Sequence, residues 1–163
     1  MEIYIFYILI FLIGIFFGSF LNVVVERLPL GRSIIYPPSH CPHCRHRLGF
    51  FDLIPLFSFI FLGRHCRYCK AKISWYYPIT ELFTGFLFCL TAFMVIGTPV
   101  ILFLEQLTQL WFFLYLLFLI SIFILVFFID LRFGIIPFKI VILALAVILI
   151  RFIFLGFTDF HLY

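Results

Sequence analysis

The sequence predicts an all-α polytopic membrane protein of about four transmembrane helices, carrying one small cytoplasmic loop domain built around four cysteines. Three observations predict it. The 163 residues are 66% apolar and only 11% charged, with 27 phenylalanines. The apolar residues fall in long continuous runs. One basic, proline-rich stretch separates the first run from the second. A soluble domain of this size cannot hide that much apolar surface. Crossing the hydrocarbon takes about 20 apolar residues as a helix, and only helices or closed barrels satisfy their backbone groups there. Continuous runs, in place of alternating ones, select helices.

The first span, Ile3 to Val25, has no ionised side chain, no basic residue before it and no small-x-small cleavage site after it. It is expected to be a retained anchor and not a removed signal peptide. Further spans are expected at about Ile79–Ile96, Leu110–Ile129 and Phe138–Phe157. Between the second and third, Pro99, Glu105, Gln106, Thr108 and Gln109 interrupt the apolar pattern and predict a short loop or amphipathic turn over Gly97–Gln109. The chain thus divides into residues 1–25 (first helix), 26–78 (loop domain) and 79–163 (membrane domain of three helices). Gly14 and Gly18 form a G-x-x-x-G stripe that is expected to pack an internal neighbour.

Eight of the 11 Lys and Arg residues lie within 26–78: Arg27, Arg32, Arg45, Arg47, Arg64, Arg67, Lys70 and Lys72. By the positive-inside rule that loop is cytoplasmic. The same orientation places Gly97–Gln109 outside and returns Asp130–Lys139, with Arg132 and Lys139, to the cytoplasm. Six of the eight prolines are in the loop, predicting turns and short strands. The apolar stretch "LIPLFSFIFL", residues 53–62, is too short to span and is expected at the membrane interface or beneath the cysteine knuckles.

A loop of about 50 residues has too small a core to fold without a staple. Cys41, Cys44, Cys66 and Cys69 form two Cys-x-x-Cys pairs with 21 residues between them, in a repeated H-C-x-x-C-basic-x-basic pattern. Cytoplasmic thiols stay reduced, which favours a metal over disulfides. Two such turns offer the four soft ligands that tetrahedral zinc takes, and Arg45, Arg47, Arg67 and Lys70 would offset the −2 charge of a zinc–tetrathiolate site. His40, His43, His46 and His65 are either additional ligands or solvated neighbours of the knuckles. Cys89, inside the second span, is assigned no role. No stacking platform or recognition helix accompanies the basic residues, so the sequence predicts no nucleic acid partner, and contact with anionic lipid explains the charge.

Intramembrane polar residues are costly and often mark function. Asn22, Glu26, Glu81 and Asp130 all fall on the cytoplasmic side. Each also has a local explanation: Glu26 pairing with Arg27 or Arg32, Glu81 capping the helix begun at Pro78, Asp130 facing Arg132.

The segments "GSFLNVVVERLP" (18–29), "SHCPHCRHRLGFFDLIPLFSF" (39–59), "GRHCRYCKAKISWYYPITELFTG" (63–85) and "IDLRFGIIP" (129–137) together resemble, in order, motifs of the bacterial type IV prepilin peptidases. The resemblance implies a polytopic inner-membrane enzyme that cuts leader peptides from prepilins or pseudopilins at the cytoplasmic face. It also implies that the new N-terminus is methylated in many members, using S-adenosylmethionine. The chemistry implied is aspartyl: two carboxyls on different helices share a proton and activate water. Asp130 matches the family's first catalytic aspartate, which opens the D-x-x-x-x-x-x-P motif. Phe138 stands where Asp or Asn is common, and the later Gly-x-Gly-Asp segment with the second aspartate does not occur. Asp159 is the only carboxylate after Asp130, and it lies beyond the fourth span on the outer side. Three readings follow: a truncated or split peptidase that is inactive alone and needs a complementing C-terminal fragment, a noncatalytic membrane zinc protein that binds pilin leaders or assembly proteins, or an interaction module unrelated to pili.

Overall fold

The computed structural model describes residues 2–96 and 103–160. In order they form α1 (Glu2–Arg27), a 3-10 turn (Phe50–Asp52), α2 (Phe57–Phe61), α3 (Tyr76–Ile96), α4 (Phe103–Phe133) and α5 (Phe138–Phe160). Among the described residues three helices are long and apolar enough to cross a membrane: Ile3–Arg27, Tyr76–Val95 and Gln109–Phe133. The fourth expected span maps onto α5. The molecule is the helical membrane protein that the apolar runs call for.

The tightest contact is between α1 and α3, which run antiparallel. A Cβ placed on Gly14 would lie 2.7 Å from the Gly85 Cα, and one on Gly18 would lie 2.9 Å from the Glu81 Cα. Only a stripe without side chains permits that approach, so the G-x-x-x-G packs an internal neighbour. One turn closer to the loop, Thr80 donates to Asn22 Oδ1 at 2.6 Å, and Asn22 Nδ2 donates to the Tyr77 carbonyl at 3.3 Å. In hydrocarbon no water competes for these groups, which makes them interhelical glue. Farther from the loop, the Cys89 thiol donates to the Tyr7 carbonyl at 3.3 Å.

Helix α4 closes the loop-side end of this pair. Leu21, Val24 and Val25 of α1 pack in one buried cluster with Ile124, Leu125, Phe128 and Ile129 of α4. Helix α4 stops where Gly134, at φ +63°, donates its N–H to the Asp130 carbonyl, and Pro137 then leads into α5. Helix α5 is peripheral. Arg151, the one charge inside α5 between Lys139 and Asp159, lies over the rings of Phe112 and Tyr115 at 4.7 and 4.6 Å. An aromatic face gives such a cation a partner where water is scarce.

Two expectations change. Helix α4 begins at Phe103, so Glu105, Gln106, Thr108 and Gln109 are helical and not a loop. Glu and Gln are good helix formers, so a polar run of this kind continues a helix as readily as it ends one. The remainder of that stretch, 97–102, lies outside the described residues. The loop's short strands reduce, among the described residues, to two isolated bridges, His40 with Arg47 and His65 with Lys72.

Candidate functional site

Those bridges close two knuckles that are copies of one another. In the first, Cys41 N–H donates to the His46 carbonyl and Arg45 N–H to the Cys41 carbonyl; in the second, Cys66 N–H donates to Ala71 and Lys70 N–H to Cys66. The residue after each second cysteine, Arg45 or Lys70, has positive φ, +57° and +59°. Each chain reversal therefore turns its two sulfurs to the same side. The knuckles face one another through the rings of His46 and Tyr68, tilted by 31° with 3.7 Å between centroids.

The four sulfurs of Cys41, Cys44, Cys66 and Cys69 all lie within 4.8 Å of one another. Zinc–thiolate bonds of about 2.3 Å in a tetrahedron put sulfurs about 3.8 Å apart. The Cys41–Cys69 separation is 3.8 Å, so the donors fit such an ion. Cys41 and Cys66 are buried while Cys44 and Cys69 are exposed, which leaves one edge of the cluster toward water. The Cys69 backbone N–H, more than any other group, holds the Cys66 thiol down at about 7 against the opposing effect of burial. The Ala71 N–H pulls the Cys69 thiol the same way, but burial and hydrogen bonds shared with the other three thiols outweigh it and push Cys69 up to about 11. Thiols this close cannot all ionise unless a cation joins them. Two histidines point elsewhere: Nδ1 of His40 meets the Pro38 carbonyl and Nδ1 of His65 the Gly63 carbonyl.

A clasp ties the turn at Phe50–Asp52 to the second knuckle. Burial alone would raise the Asp52 carboxyl, but the Arg67 guanidinium at 2.7 Å, the Gly49 N–H and the Tyr68 hydroxyl outweigh it and hold Asp52 below the usual carboxylate range.

Between the knuckles and the loop-side ends of α1 and α3 lies a cavity of about 640 Å³. Asn22, Glu26, Glu81 and Arg132 are among its lining residues, with Cys41 and Cys66 on the knuckle side. Glu81 is buried and accepts a 2.9 Å hydrogen bond from the Leu56 N–H, so it holds the loop and does not cap its own helix. Glu26 accepts from the Tyr77 hydroxyl and pairs with Arg132 of α4 at 2.9 Å. The local partners expected from sequence are engaged otherwise or absent: Arg27 turns back onto the Ser33 and Ile34 carbonyls. The Arg132 guanidinium also lies over the Tyr76 ring at 5.1 Å. Three helix ends thus meet through Glu26, Tyr77 and Arg132.

Asp130 is exposed at the end of α4, two residues from Arg132, and is not among the residues lining the cavity. It therefore lies at the loop-bearing end of the bundle, although Arg132 faces Glu26 and not Asp130. Asp159 belongs to the far part of α5, a helix of 23 residues.

Residues 12–95 match the family described as the bacterial peptidase A24 N-terminal domain. Among curated proteins the chain is similar to a prepilin leader peptidase/N-methyltransferase of Myxococcus xanthus, 48% identical over 90 residues, covering 54% of this chain and 27% of that protein. The protein of the same name from Klebsiella pneumoniae is 43% identical over 99 residues, covering 56% of this chain and 43% of the relative. The one from Bacillus subtilis is 44% identical over 80 residues, covering 49% and 32%. The matched stretch spans less than half the length of each of these relatives. No solved structure matches the chain.

Proposed function

The chain belongs to the family of the bacterial peptidase A24 N-terminal domain, and from that premise we propose that it works in cleaving the leader peptides of prepilins or pseudopilins at the cytoplasmic face of the inner membrane. One observation carries the reading. Asp130 stands at the same end of the bundle as the cysteine knuckles and the cavity, and Arg132 beside it lines that cavity. A leader entering between loop and helices would lie next to the α4 terminus.

In this reading residues 1–25 anchor the chain, 26–78 form the cytoplasmic knuckle domain and 79–163 carry the membrane part of the catalytic apparatus. Zinc, held by Cys41, Cys44, Cys66 and Cys69, would supply structural cross-linking and no chemistry on the substrate. Asp130 is the proposed catalytic carboxylate, holding or giving up a proton to water at the scissile carbonyl. The aspartyl mechanism needs a second carboxyl that shares that proton. Asp159 is too far along α5, and Glu81 and Glu26 are committed to the Leu56 amide and to Arg132. We propose that the second carboxyl comes from a Gly-x-Gly-Asp helix pair outside these 163 residues. The relatives' names also include methyl transfer; S-adenosylmethionine would then be the co-substrate, and no residue here is assigned to it.

The test is processing of a prepilin in membranes. The 163 residues alone should give no mature product. Product should appear when a helix pair bearing Gly-x-Gly-Asp is co-expressed, and Asp130→Asn should abolish it, because losing one member of a cooperating pair removes most of the acceleration. Processing by the 163 residues unaided, stopped by Glu81→Gln, would transfer the second role to Glu81. Processing that survives Asp130→Asn would overturn the assignment.

A further inference from the structure

The loop carries an apolar face that the bundle does not use. On α2, Phe57, Ile60 and Phe61 lie at helical spacing on one side and are exposed, Phe61 by 81% and Ile60 by 70%. Phe57 and Phe61 stack with rings 6.2 Å apart. Phe50 and Phe51 of the preceding 3-10 turn, also exposed, extend the patch. Water is a poor solvent for five such side chains in one short stretch, and a patch of this kind marks a contact surface.

Three contacts fix the height of α2 relative to the membrane. The Leu56 N–H, at its start, donates to Glu81, which sits on the second turn of the membrane-spanning α3. Phe59, on the opposite side of α2, packs against Trp75 with 4.9 Å between ring centroids. Trp75 immediately precedes α3, in the position where aromatic rings gather at a membrane boundary. Arg64, just past α2, lies 5.4 Å over the same Trp75 ring. Helix α2 therefore sits at the level of the first turns of α3, beside the span and not above it in the cytoplasm. A five-residue helix is only about 7.5 Å long, so it cannot carry its outer face far from that level.

Charge selects what covers the patch. Arg45, Arg47, Lys70 and Lys72 of the same loop are exposed. Asp52 is the single acidic residue between Leu28 and Thr80, and Arg67 already pairs with it. Apolar rings at membrane depth, carried by a loop whose unpaired exposed charges are basic, match an acyl layer beneath anionic headgroups. We propose that the 3-10 turn and α2 form a monotopic wedge, with Phe50, Phe51, Phe57, Ile60 and Phe61 seated in the loop-side leaflet of an anionic bilayer. The wedge holds the knuckles against the membrane surface and keeps Ser58 and Phe59, which line the cavity, at the headgroup level. It does not rest on the peptidase reading.

The test uses the full chain in vesicles containing phosphatidylglycerol, with Phe61→Trp as the probe in a Trp75→Phe/Trp111→Phe background. Acyl chains brominated near the headgroup should remove more than about half of the emission of the introduced indole, while aqueous iodide should leave it nearly unchanged, as expected for a ring some 5–10 Å into the boundary. Quenching by iodide and not by bromolipid would place the patch in water and overturn the proposal. Shielding from both would mean that protein covers it, which also overturns the proposal. Should the Trp75 replacement loosen the loop, the difference between Phe61→Trp and the wild-type chain, with both native tryptophans kept, gives the same discrimination.

Discussion

At the scale of single residues, the cysteines and Asp52 set the loop's conformation. A cation joining the four thiolates would replace the core that the loop lacks, so removing a ligand from each knuckle should unfold it. Purified chain is expected to hold about one zinc, and Cys41→Ser with Cys69→Ser should release it and open the loop to protease; metal retained at full stoichiometry in that variant would end the assignment. Asp52 has its carboxyl lowered by Arg67, Gly49 and Tyr68 in spite of burial. A carboxyl lowered on folding adds stability above its unfolded value of about 3.9, and that contribution disappears as pH falls through the folded value. Carbon-detected NMR should show Asp52 titrating below about 3.9, and Arg67→Ala should move it upward; no movement would mean that the clasp is not formed. The cysteine pairs were legible because each pair is closed within four residues and the same pattern recurs 25 positions later. The Glu26–Arg132 pair was not, because its members are 106 positions apart and two nearer arginines offered a cheaper explanation. Glu81 was misread for the same reason: a capping role is local, whereas its partner at Leu56 comes from the loop.

At the scale of helices, the apolar runs fixed the spans to within a few residues, since bilayer thickness leaves little freedom. The start of α4 was the exception. A polar run reads as an interruption in hydropathy, yet Glu and Gln are helix formers and continue the helix back to Phe103. The α1–α3 seam depends on residues that have no side chain. Gly14→Leu would drive a side chain into the Gly85 backbone, which cannot yield as a flexible side chain would. Overpacking of this kind costs roughly 1–3 kcal/mol or more. The expected result is a lower midpoint of thermal unfolding in detergent, while Gly49→Ala, at an extended position (φ −79°) where a Cβ would meet nothing nearer than 3.5 Å, should shift the midpoint much less. Equal midpoints for Gly14→Leu and wild type would show that the helices do not approach as described.

At the scale of the whole molecule, the basic loop, the Arg132–Glu26 pair and the start of α3 share one end of the bundle. Reporter fusions after Lys72 and after Tyr163 should give opposite signals, with the Lys72 fusion cytoplasmic; a cytoplasmic signal from both would remove one crossing. The close seam between α1 and α3 also has a consequence for how the chain assembles. These two helices meet step for step, yet 48 residues separate Arg27 from Tyr76. A flexible tether of that length dilutes each helix in the other's neighbourhood. Joining Cys41 to Cys69 through a metal would short-circuit the path to about 20 residues and lower the closure cost by about 0.8 kcal/mol. The knuckle pair would then act as a clip that raises the local concentration of one helix at the other, so the earliest helical hairpin in the bilayer would form faster in metal-replete cells than in starved ones.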